Sequence, residues 1–233
     1  MVTLLLGWLL GIAQGFRHAF EPDHLAAVST MVAEQKSARA SVSYATAWGA
    51  GHALVLTIVG GLLFCLRAEM PVRLGNIFEV FVGVMLVLLG VRAIRQAILA
   101  GRGLNVPAHA HGAVVHEHEG VPEHLHVRRF TFAKRPLLVG VVHGLAGSGA
   151  LVALVLPKLS SMVHGVAFMA LYGLGAMLGM AILAGVLGAP LAKLARSGSR
   201  THVMPALLAV SGVLSLGLGV AWGSAAMFRV LAY

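Results

Sequence analysis

Apolar residues in this chain come in long runs, not in the narrow stripes or short alternations of a soluble fold. Six runs are long enough to cross a bilayer, at about residues 3–20, 42–66, 74–98, 136–157, 162–190 and 203–230. A spanning helix needs about 20 mainly apolar residues. None of the runs shows the apolar–polar alternation of a membrane barrel strand. The expected fold class is therefore all-α, a polytopic membrane protein of about six transmembrane helices. The one long polar connection covers residues 99–135 and contains Pro107 and Pro122. Its length and composition predict a flexible loop. The expected organisation is a first membrane region over residues 1–98, a loop over 99–135 and a second membrane region over 136–233.

The two membrane regions echo each other. His18 matches His143 at an offset of 125, and the residues after them, Asp23-His24-Leu25-Ala26-Ala27 and Ser148-Gly149-Ala150-Leu151-Val152, then correspond. Trp48-Gly49-Ala50-Gly51 resembles Tyr172-Gly173-Leu174-Gly175 at an offset of 124. Gly83 and Gly90-Val91 match Gly212 and Gly219-Val220 at an offset of 129. Three consecutive matches predict two repeats of three helices each. An odd number of helices per repeat forces opposite orientations, so the repeats are expected to be inverted, as in many secondary transporters.

Composition agrees with a membrane protein. Of the 233 residues, 58% are apolar and 11% charged, and mean hydropathy is +0.88. Soluble domains average about 25% charged residues, so a cytosolic enzyme, a disordered chain and a disulfide-rich secreted scaffold are all excluded. The single cysteine, Cys65, permits no internal disulfide and no cysteine-based zinc site. No cleaved signal peptide is expected. The formal charge of +9 does not indicate nucleic-acid binding, because the basic residues lie at the ends of apolar runs, where they set topology. Loops 1–2, 3–4 and 5–6 carry twelve of them and the opposite side four, which are Arg67, Arg73, Lys158 and Arg229. The first group, and with it the 99–135 loop, is expected on the cytoplasmic side.

The chemistry concentrates in Arg17-His18-Ala19-Phe20-Glu21-Pro22-Asp23-His24, which holds the only aspartate of the chain. Ionisable residues beside a membrane core are costly and mark ion or substrate paths. On one continuous helix, His18 would stand about 140° from Asp23 and about 120° from His24, too far apart to hold one ion. Pro22 lacks an N–H and clashes with the carbonyl of His18, which predicts a discontinuous first helix broken at this site. His52, in Trp48-Gly49-Ala50-Gly51-His52, and His143, at the mirrored glycine-rich position, are further candidate ligands. Arg17, Glu21, Glu79 and Ser148 are secondary candidates, with structural roles as the alternative. Imidazole nitrogens with a carboxylate oxygen suit Ni²⁺, Co²⁺, Zn²⁺ or Cu²⁺. An all-oxygen magnesium or calcium cage is not available. The loop adds His109, His111, His116, His118, His124 and His126 beside Glu117, Glu119 and Glu123, a compositional signal for an auxiliary metal gatherer or sensor.

These residues resemble the nickel/cobalt transporter family, particularly its short branch of urease-accessory nickel permeases. Arg17, His18, Asp23 and His24 meet the family's R-H-x4-D-H signature, Gly51-His52 its Gly-His pair, and His143 to Ala150 the H-G-L-A-G-S pattern of the short branch. The chain departs from the family in having six expected helices where larger members have eight. It also has Glu21-Pro22 where the family usually has D-A before the D-H pair. The resemblance implies a secondary transporter in a bacterial inner membrane. It would carry Ni²⁺, or Co²⁺, through a His/Asp site, with uptake the favoured direction. No cofactor is implied beyond the transported ion, and the implied partners are metallochaperones or nickel-enzyme maturation proteins. Competing readings are a proton-coupled nickel or cobalt exporter with the same site, and a membrane metal sensor. A membrane metalloenzyme is disfavoured, because no H-E-x-x-H pair occurs at helical spacing.

Overall fold

The computed structural model describes the chain except residues 1, 36, 103–108, 112–113, 117–123, 128–129, 156–160, 197–199 and 233. The architecture is built from helices. Their order is α1 (Val2–His18), α2 (Pro22–Ala33), α3 (Ala38–Val55), α4 (Gly61–Cys65), α5 (Val72–Gly101), α6 (Lys134–Val155), α7 (Met162–Arg196) and α8 (Arg200–Leu231). A five-residue π-helical turn, Leu56–Gly60, joins α3 to α4 so that they run on as one element. Two short antiparallel ribbons lie between α5 and α6. One pairs β1 (His109–His111) with β2 (Val114–His116), the other β3 (His124–Val127) with β4 (Phe130–Ala133). These ribbons occupy part of the 99–135 stretch, whose length and composition predict a flexible loop.

Four elements among the described residues are long and apolar enough to cross a membrane, Ala38–Cys65, Val72–Gly101, Met162–Leu191 and Val203–Leu231. The protein is an integral membrane protein with a helical body. Apolar side chains lie exposed along these helices, Leu88 on α5, Ile182 and Val186 on α7 and Val213 on α8 among them. Hydrocarbon chains are a suitable neighbour for such surfaces.

The first apolar run ends in a break. α1 stops at His18, and the N–H groups of Phe20 and Glu21 bond to the carbonyls of Arg17 and His18 at 3.0 Å. Glu21 adopts an extended backbone and Pro22 stands at the start of α2. Proline is well placed there, because its missing N–H would have no helical acceptor and its φ is already helical. Pro22 thus starts a second helix, α2, and does not merely kink the first. Ser37 caps α3 by accepting a hydrogen bond from Ala40 N–H at 3.2 Å.

Glycines set how closely the helices approach. A Cβ at Gly15 of α1 would run into the carbonyl of Tyr172 on α7, and one at Gly140 of α6 would run into the carbonyl of Trp48 on α3. A Cβ at Gly49 would lie 2.8 Å from Met177 Cα, and one at Gly173 would lie 2.9 Å from Ala53 Cα. In the third pair of helices, one at Gly90 would sit 2.6 Å from the Gly212 carbonyl oxygen and one at Gly219 would sit 2.7 Å from that of Gly83. Only residues without side chains let backbones meet at these distances. Each contact has a counterpart with the two membrane regions exchanged, at the offsets of 125, 124 and 129 that relate the sequences. The order of the contacts makes α3 antiparallel to α7 and α5 antiparallel to α8. The main buried cluster, with Val28, Trp48, Leu86 and Met180, fills the space where α2, α3, α5 and α7 meet.

Candidate metal centre

The break between α1 and α2 turns His18 back towards the start of α2. His18 and His24 come within 4.4 Å, measured between ring centroids. On a continuous helix they would diverge. Asp23 occupies the first turn of α2, where the helix dipole favours a carboxylate. Its Oδ1 accepts from the backbone N–H of His24 at 2.9 Å and lies 3.1 Å from His24 Nδ1. Its Oδ2 lies 2.8 Å from His143 Nε2 on α6, which bridges the two membrane regions through one carboxylate.

α3 brings in His52, about one helical turn before the π-helical turn. Such turns widen a helix and occur often at functional sites. His24 lies at the middle of the group, with ring centroids 4.0 Å from His143, 5.1 Å from His52 and 4.4 Å from His18. His24 and His52 are fully buried, His143 is 2% exposed and Asp23 is 7% exposed.

The centre has more buried nitrogen than its internal hydrogen bonds use. His24 Nε2, His52 Nδ1, His52 Nε2 and His143 Nδ1 are buried without a hydrogen-bond partner among the described residues. Buried polar atoms are normally paired, and a cluster of unpaired ones calls for a missing ligand or water. A neutral imidazole carries one lone pair that can serve as a ligand. His18, His24 and His52 each offer one ligand atom, all lying within 4.8 Å of one another, and so do Asp23, His24 and His143. A donor set of imidazoles and one carboxylate fits a borderline divalent transition metal.

The remaining candidates lie elsewhere. Glu21 is exposed and contacts His18 Nδ1 at 2.9 Å, while Arg17 points to the exposed face of α1. Glu79 forms an ion pair with Arg229, between α5 and α8, and is not among these grouped ligands. The side chain of Ser148 lies outside the described residues, as does all of His118. The backbones of His109, His111, His116, His124 and His126 run in the ribbons, and their side chains lie outside the description.

Two aromatic residues complete the surroundings, and candidate-ligand reasoning passes over them. The Trp48 ring lies 5.4 Å from His24 and 5.6 Å from His143. The Tyr172 ring lies 5.5 Å from His18. The sequence signal for both was their match at the same offset in the two regions. Just past α2, Glu34 at its C-cap pairs with Arg92 of α5 at 3.0 Å, which fastens the end of this short helix to the bundle.

The chain is 30% identical over 225 residues to the urease accessory protein UreH of Bacillus sp. (strain TB-90), covering 94% of this chain and 91% of that protein. It is 27% identical over 222 residues to the chloroplast protein FOR GROWTH AND FERTILITY 1 of Arabidopsis thaliana. That match covers 92% of this chain, which spans 59% of the plant protein's length. No family profile matches the chain, and no solved structure matches it.

Proposed function

The chain belongs to the family of the urease accessory protein UreH, and from that membership and the geometry of its centre we propose that it is a secondary transporter of a divalent transition-metal ion, nickel before cobalt. The observation that carries this reading is the set of unpaired, buried imidazole nitrogens gathered round Asp23. His18, Asp23, His24, His52 and His143 are the proposed ligands. A family tie to urease assembly favours nickel as the cargo, with nickel-enzyme maturation proteins as the downstream partners.

The proposed architecture is two inverted halves of three helices, with the ion held between them. The paired glycine contacts support it, because exchanging the halves turns each contact into its counterpart. Alternating access would then come from rocking one half against the other around the ion. The proposed setting is a bacterial inner membrane with the 99–135 loop in the cytoplasm, where its histidines would gather or sense metal. Inward movement of a dication down an inside-negative potential gains roughly 4.6 kcal/mol per 100 mV. Uptake therefore needs no coupled ion.

The test is Ni²⁺ uptake into proteoliposomes with an imposed inside-negative potential, wild type beside Asp23→Asn. Flux in the wild type alone supports the reading. Metal binding without flux, under both the potential and a pH gradient, would leave a sensor and overturn it.

A further inference from the structure

The ligand atoms of the centre form two overlapping triads. His18, His24 and His52 make one, and Asp23, His24 and His143 make the other. His24 belongs to both. The offset that relates the halves superposes His18 on His143, so each triad contains one of these two equivalent histidines. Their aromatic neighbours follow the same exchange. Tyr172 of the second half lies 5.5 Å from His18 of the first, and Trp48 of the first half lies 5.6 Å from His143 of the second. Trp48 and Tyr172 are themselves equivalent, at an offset of 124.

We propose that the two triads are alternative seats for a single metal ion, and that His24 stays with the ion as it passes from one seat to the other. This rests on the transporter reading above. A neutral imidazole has one lone pair free for a metal. Filling both seats at once would require His24 to lose its second proton. It would also place two dications a few ångströms apart in a medium that screens them poorly. The centre therefore holds one ion at a time. Inverted halves change from one facing to the other by exchanging conformations, so the seat with His18 and the seat with His143 serve opposite faces of the membrane.

The seats are unequal. Only the His143 seat includes a carboxylate, Asp23, whereas the His18 seat has three neutral nitrogens. A dication is held more tightly beside the negative charge. The reason His24 is shared can be read from the chain: where the first half has Asp23-His24, the second has Ser148-Gly149. At those positions the second half contributes neither an acid nor a second histidine, so both seats draw on His24 of α2.

The test uses Co²⁺ as an optical probe with the full-length chain, purified in detergent and reconstituted in liposomes, with His109→Gln, His111→Gln, His116→Gln, His118→Gln, His124→Gln and His126→Gln carried in the wild type and every variant so that Co²⁺ is counted at the centre alone. The wild type should bind one Co²⁺ per chain. His52→Ala and His143→Ala should each still bind one Co²⁺, with different ligand-field spectra, and His143→Ala should bind at least tenfold more weakly than His52→Ala. Both should lose Co²⁺ flux, and His24→Ala should lose binding altogether. Any alanine variant that aggregates is replaced by the corresponding glutamine variant, and the wild-type stoichiometry stands independently of all of them. Two Co²⁺ per wild-type chain would overturn the proposal by showing separate sites. So would loss of binding in both His52→Ala and His143→Ala while the wild type binds and transports, which would show one undivided shell and leave the transporter reading intact. A wild type that binds no Co²⁺ and no Ni²⁺ would overturn both readings together.

Discussion

The close approach of α3 and α7 can be tested by adding single methyl groups. At Gly49 the new carbon would lie 2.8 Å from Met177 Cα, and at Gly173 it would lie 2.9 Å from Ala53 Cα. Carbon atoms rest at about 3.5–4.0 Å, so the helices must part by roughly 0.7–1 Å. Overpacking of this kind costs about 1–3 kcal/mol. Alanine's better helix propensity offsets about 0.8–1 kcal/mol of that. Gly49→Ala and Gly173→Ala should therefore each destabilise the protein by about 0–2 kcal/mol, and by similar amounts. Gly217 is the control, because a Cβ there would meet nothing within 4 Å. Gly217→Ala should stabilise by up to about 1 kcal/mol. The assay is thermal unfolding of the three variants side by side in one detergent, with Ni²⁺ titration by calorimetry. His52 follows Gly49 by one helical turn on α3, so displacing α3 moves a proposed ligand. Disturbing the support of a metal ligand typically lowers affinity by about 10–100-fold. If Gly49→Ala matched Gly217→Ala in stability, or bound Ni²⁺ like the wild type, the packing argument would be refuted.

Asp23→Asn keeps the shape of the side chain and removes its charge. It should abolish Ni²⁺ flux with the unfolding temperature of the metal-free protein little changed, as read by proteoliposome uptake and calorimetry. Ni²⁺ loading should fall as pH drops below the range in which free histidine is neutral, because a protonated imidazole has no lone pair to give; equilibrium dialysis from pH 8 to pH 5 reads this, and undiminished binding at pH 5 would count against histidine ligation. Glu79 and Arg229 pair at an accessible position away from the centre, so Glu79→Gln should change stability by no more than about 1 kcal/mol and leave the flux within twofold of wild type. Deleting residues 108–126 should weaken apparent affinity in uptake assays without abolishing transport, since the proposed centre lies entirely in the helices.

Much of this protein is written along the chain. The apolar runs place its long helices to within a few residues, because the cost of exposing a polar backbone to hydrocarbon acts on each segment independently. Pro22 marks the break for an equally local reason, the missing N–H. His18, Asp23, His24, His52 and His143 stand out because ionisable groups are rare within such runs. The matching offsets in the two halves are visible without coordinates.

What the chain does not display is which side chains meet. Glu21 and Asp23 are near neighbours in sequence, yet Glu21 turns outward to His18 and Asp23 turns inward to His143, 120 residues away. That division depends on where the end of α1 and the start of α2 stand relative to α6. Short ribbons form in the 99–135 stretch, where no periodic pattern announces them. Trp48 and Tyr172 are linked along the chain only by their matching offset, and it is the packing of α3 and α7 that sets each against a histidine of the opposite half. Segment hydrophobicity and helix breaking are sums over neighbouring residues, so both can be read along the chain. The pairing of helices is a steric fit between distant glycines and the backbones they admit, and many arrangements share the same pattern of hydrophobic residues. The packing of the helices selects among them, and it sets His24 between two groups of candidate ligands.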